Sequence, residues 1–158
     1  MTAIAERAGV GRPTVYAHFP DERTLFAACT AHYFGFHPAP DPTAWRTEPD
    51  PKVRLVHGLT ELYRYWAEIE PMAARVLRDH RVAPERVGQG FVDFMARCRD
   101  ALARDWPPTG VPRRRALAAL GLAVGFETWH SLVREGGLST REAVAIMAGA
   151  VAAAGAER

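Results

Sequence analysis

Lysine is almost missing from this chain: of its 20 Lys and Arg residues only Lys52 is a lysine. Cysteine is scarce as well, and Cys29 and Cys98 alone build no disulfide framework. Long apolar runs are absent. The longest, Ala116 to Phe126, is fenced by Arg113-Arg114-Arg115 and Glu127 and falls short of the ~20 residues of a membrane span. The opening residues place Glu6 and Arg7 where a secretory signal would be apolar, so a cytoplasmic protein without membrane attachment is expected. Strong net charge is lacking too. A formal +2 over 158 residues argues for no polyanionic partner by itself, so any such claim must rest on a local site.

What the chain does have is helical periodicity, with no stretch alternating as a half-buried strand would, which predicts an all-α fold. Two short helices are expected at 2–9 and 13–19, separated by Gly9-Val10-Gly11, and a longer one from an Asp21 cap to Phe36. Pro38, Pro40, Pro42, Pro49 and Pro51 then interrupt helical geometry and suggest a boundary between residues 1–36 and 37–158. Leu55, Leu59, Leu62, Trp66 and Ile69 form one stripe of a helix from Lys52 to Ile69, and Pro71 is expected to open a separate short helix through His80. Pro84 should start another, with Val87, Phe91, Phe94, Cys98 and Leu102 inward and Arg97, Asp100 and Arg104 outward. One helix from Arg113 to Glu135 is expected next, then a stop at Gly136-Gly137, a cap at Ser139 or Thr140, and a last helix to about Ala154. Small residues crowd these last two: Ala116, Ala119, Gly121, Ala123 and Gly125, then Ala143, Ala148, Gly149, Ala150 and Ala153. They suit either close packing within one chain or a twofold dimer surface.

The chemistry sits in the first two dozen residues. In Ile4-Ala5-Glu6-Arg7-Ala8-Gly9-Val10-Gly11-Arg12-Pro13-Thr14-Val15-Tyr16 a small Ala5 lets a second helix cross, Gly9 supplies the turn, and Ile4, Ala8, Val10 and Val15 are expected to fill the angle between helices. This is a helix-turn-helix pattern. Pro13 is preorganised for the first turn of the second helix and sets Arg12 and Thr14 at an end whose free amides attract phosphate. Joined to Tyr16-Ala17-His18-Phe19 and a new helix from Pro20-Asp21 to Leu25, the stretch resembles the tetracycline-repressor (TetR) family of transcriptional regulators.

The resemblance implies a helix-turn-helix head, a helical ligand-binding body, and a homodimer through the last two helices. It implies that Thr2, Arg12, Pro13, Thr14, Tyr16 and His18 lie where the family touches a double-stranded DNA operator, Arg12 and Pro13 near base edges and Thr14, Tyr16 and His18 on phosphates. Two departures stand out. Glu22, followed by Arg23, occupies the place of the family's usual lysine, and an acid repels phosphate. The family's first helix has no counterpart after Met1, so the head is expected to be truncated, with the natural protein starting upstream and the apolar side of Ile4, Ala8, Val15 and Phe19 partly uncovered. A truncated head also leaves open a helical ligand-binding and dimerisation protein that does not bind DNA.

The implied effector is a small apolar or aromatic molecule. Aromatic and polar residues that could line its cavity recur on the body helices: His57, Tyr63 and Trp66, then Phe91, Phe94 and Met95, then Phe126, Trp129 and His130. The same residues at helical spacing also suit a plain core. Catalysis is not expected. Glu127 and His130 share a helical face as in di-iron bundles, but no second such pair exists, His32, His37, Cys29 and Cys98 lack metal-ligand spacing, and no nucleophile motif or cofactor fingerprint is present. Arg113-Arg114-Arg115 reads as three solvated arginines rather than a second DNA contact.

Overall fold

The computed structural model describes residues 1–82, 89–105 and 110–156, all helix and connecting turns with no strand among the described residues. Its helices are α1 (Thr2–Ala8), α2 (Arg12–His18), α3 (Glu22–Phe36), α4 (Pro42–Trp45), α5 (Pro51–Val82), α6 (Gln89–Leu102), α7 (Gly110–Ala123), α8 (Phe126–Trp129), which runs into a π-helical turn His130–Glu135, and α9 (Thr140–Gly155). The expected starts at Pro84 and Val87 lie outside the described residues.

Local chemistry sets several boundaries as expected. Asp21 caps α3 by accepting from the Thr24 amide at 2.7 Å, and this bond and the Thr24 side chain hold its carboxyl below the usual range. Ser139 caps α9 in a reciprocal capping box with Glu142, whose carboxyl is lowered by its bonds to Ser139.

Two expectations are corrected. First, α5 runs straight through Pro71. Proline removes the bond to the Ala67 carbonyl, but both residues lie on the exposed side, where water can take that acceptor, while Ile69, Ala73 and Val76 continue the buried stripe on the other. Packing of one face outweighs the local break.

The proline-rich segment ends α3 as expected, and one further helical turn forms within it. Asp41 and Pro42 start the one-turn α4, which sinks Trp45 to 1% exposure, its Nε1 donating to Glu61 at 2.6 Å. Gly58 makes room: a Cβ there would meet Leu102 at 2.6 Å and the Trp45 ring at 3.1 Å. Buried Arg54 ties the start of α5 to the end of α6, donating to the carbonyls of Glu48 and Arg104.

The other correction is that the expected helix from Arg113 to Glu135 is broken at Val124-Gly125, and its halves bend by 68°. Glycine lets the turn form, since a Cβ on Gly125 would crowd the Leu122 carbonyl at 3.2 Å. The carbonyls left without helical partners at the end of α7 are met from α5: Tyr63 Oη donates to Ala123 at 3.0 Å and Trp66 Nε1 to Val124 at 3.2 Å. No single helix among the described residues is long and apolar enough to cross a membrane.

The core lies between α5, α6, α7, α8 and α9, with Trp66 touching Phe91, Phe94 and Phe126 ring to ring. The small residues of α7 and α9 divide between two environments. Ala116, Ala123 and Ala143 are buried as these helices pack on each other, whereas Gly121, Gly149, Ala150 and Ala153 stay exposed beside Leu122 and Ile146. Helix α3 rests on this body through partly buried Phe26, Tyr33 and Phe34, and His37 at its end bonds Glu68 at 2.7 Å.

Candidate nucleic-acid interface

Helix α1 stops where the backbone turns left-handed: Gly9 sits at φ 67, its amide on the Glu6 carbonyl and the Val10 amide on Ala5. That bonding is the Schellman pattern, which a Cβ-bearing residue would strain. Gly11 then caps α2 in an extended conformation, with the Thr14 and Val15 amides on its carbonyl and Pro13 in the first turn. The turn closes on Ala5 and Val15, which are 2% and 7% exposed, and Leu25 of α3 is the next buried side chain.

Thr2, Arg12, Pro13, Thr14, Tyr16 and His18 are all exposed. On α2, Arg12 and Tyr16 are four residues apart, as are Thr14 and His18, so each pair shares a face. Among the described residues the Arg12 guanidinium takes part in no ion pair or hydrogen bond, leaving its donors open to an external acceptor. Glu22 and Arg23 lie exposed at the start of α3, the acid serving the helix end rather than any anion.

Of the residues read as filling the angle between the helices only Val15 does so, with Ala5; Val10 is 42% exposed, a correction, while Ile4, 45% exposed, and Ala8 lie uncovered as expected for a truncated head. Two seven-residue helices offer too little surface to cover more than Ala5 and Val15, so an apolar side of α1 faces outward.

The nine body residues expected around a ligand do not converge on one cavity. Tyr63, Trp66 and Trp129 are fully buried, and the polar atoms of the first two serve the α7–α8 bend. His57 is on the surface, 3.4 Å from Glu61. Phe126 and His130 line a separate cavity of about 430 Å³ with Glu127 and Glu135, where His130 lies 3.5 Å from Glu135 and 3.9 Å from Glu70. Phe91 and Phe94 line a different cavity of about 280 Å³, with Met95 half-buried nearby on α6. The sequence reading missed the other wall of that cavity: Phe26, Thr30 and Phe34 of α3, Tyr65 of α5, and Arg97. Their signal was legible, since Phe26, Thr30 and Phe34 step by four along one helical face. No group of three His, Cys, Asp or Glu that could hold a metal occurs among the described residues.

Residues 1–29 match the family model described as bacterial regulatory proteins, tetR family. No curated protein and no solved structure matches the chain. The matched segment spans α1, α2 and the first half of α3, and it supports a TetR-family DNA-binding regulator of transcription.

Proposed function

We propose that the chain is a homodimeric, ligand-responsive regulator, a repressor of transcription in the cytoplasm, with residues 1–36 as its DNA-binding unit and 37–158 as its ligand-binding and dimerisation unit. The observation that carries the reading is an α2 whose outward residues are all solvent-exposed and whose Arg12 is unengaged, within a segment that matches the tetR family. A helix of this size fits the major groove, where arginine pairs bidentately with guanine. Arg12 and Pro13 approach base edges there, while Thr14, Tyr16 and His18 bond phosphates and set the register, with Thr2 also at the DNA surface. A twofold pair of heads needs a dimer, and the exposed Gly121, Leu122, Ile146 and Gly149 of α7 and α9 offer an apolar, low-relief surface for it. A small apolar or aromatic molecule bound in the body shifts the population of DNA-competent dimers.

The exposed apolar side of α1 favours a second reading, a ligand-binding and dimerisation protein whose head does not engage DNA. Fluorescence anisotropy with duplexes flanking the protein's own gene separates the two. Saturable binding that exceeds binding to a scrambled duplex supports the regulator; equal, weak binding to both supports the second reading. Sedimentation of the same samples must show a dimer.

A further inference from the structure

Helix α3 belongs to two structures at once. Leu25, near its start, is buried, while Phe26, Thr30 and Phe34 form one wall of the 280 Å³ cavity in the body. The facing wall is Tyr65 of α5 with Phe91 and Phe94 of α6. Whatever fills this space touches both the helix that carries the head and the helices that anchor it.

The lining states what would fill it. Five of those six side chains are aromatic, so an apolar body gains by leaving water. At the rim stands one cation. The Arg97 guanidinium lies 6.0 Å from the centre of the Phe94 ring and, among the described residues, makes no hydrogen bond or ion pair. An arginine held at the edge of an apolar slot matches a carboxylate, which it can grip through two parallel bonds. A neutral hydrocarbon would leave it unused and an amine would be repelled. The volume sits at the low end of the ~300–1,000 Å³ usual for ligand cavities, which calls for a small molecule.

We propose that the ligand is a small apolar carboxylic acid, its tail among Phe26, Phe34, Phe91 and Phe94 and its carboxylate on Arg97; that this ligand acts on operator binding rests on the regulator reading, while the site and the ligand class do not.

Octanoate, 1-octanol and octylamine share a tail and differ in charge, and calorimetry of the full chain with each tests the site. Octanoate should bind at least about tenfold more tightly than octanol, and octylamine not measurably. Arg97→Gln should remove that preference while leaving octanol binding unchanged. Gly90→Leu adds bulk at the cavity lining, where a Cβ meets nothing within 4 Å and leucine is the better helix former; it should weaken binding of all three. Equal affinity for octanoate and octanol, an Arg97→Gln variant indistinguishable from the parent, or unimpaired binding by Gly90→Leu would each overturn the assignment. A chain that binds octanoate but never binds DNA overturns the regulator reading and leaves the acid site standing.

Discussion

Tyr63→Phe probes the bend that gives the body its shape. The tyrosine is fully buried and its hydroxyl donates to the Ala123 carbonyl at 3.0 Å, an acceptor with no helical partner because α7 ends there. Phenylalanine keeps the ring and its packing, so the change removes one donor and strands one buried acceptor. That costs about 1–3 kcal/mol. For a chain of 158 residues each kcal/mol moves the melting temperature by about 2–4 °C, so a loss of about 2–12 °C is expected in far-ultraviolet circular dichroism. Tyr16→Phe, on an exposed ring, is the control and should leave Tm unchanged. Alkali supplies an independent check. Burial raises the Tyr63 hydroxyl above the ordinary 10.0, so its contribution is complete below that value and fades as pH rises through and beyond it; the variant should lose less stability there. A variant as stable as the parent at neutral pH would refute the account of the bend.

Other outcomes follow from single contacts. Gly58→Ala forces a Cβ against Leu102 and Trp45, so overpacking of about 1–3 kcal/mol outweighs about 1 kcal/mol of helical preference and the denaturation midpoint should fall, whereas Gly35→Ala, with nothing within 4 Å, should raise it. Ser139→Ala should cost about 0.5–2 kcal/mol by urea titration. Because Glu142 is held below its ordinary 4.5 by Ser139, the parent keeps that contribution above this pH and loses it as pH falls through the lowered value, a loss that Glu142→Gln should not show. A thiol reagent should label exposed Cys29 promptly and reach Cys98, whose thiol is pushed up to about 12 by burial, only on unfolding.

Much of the fold was legible because its signals are local. The Asp21 and Ser139 caps, the Gly9 turn, the stripe from Leu55 to Ile69 and the inward face of α6 each depend on residues within a few positions of one another. What escaped depends on distant partners. Pro71 reads as a helix break until the buried Ala73 and Val76 hold the helix together beyond it, and the run from Ala116 to Phe126 reads as one helix until Tyr63 and Trp66 supply donors for its severed end. The same limit applies to the body site. Aromatic residues were picked out correctly as inward-facing, but which of them seal the core and which border open space is decided by α3, far away in sequence, whose Phe26 and Phe34 meet Phe91 and Phe94 across the cavity. On α2 the exposed residues follow directly from the turn, and the open faces of Ile4 and Val10 come from the small area two short helices can cover.

The central claim is that Arg12 reads bases from α2. The direct measurement is the ratio of affinities for the gene-flanking duplex and an unrelated one, at fixed salt, for the parent and Arg12→Ala, with Arg113, Arg114 and Arg115 changed together to Gln as the comparison. A bidentate arginine–guanine pair is worth about 1–3 kcal/mol of discrimination, so Arg12→Ala should cut the ratio roughly 5- to 150-fold while the triple change leaves it alone. An Arg12→Ala protein that discriminates as well as the parent, or a triple variant that loses discrimination in its place, would contradict it.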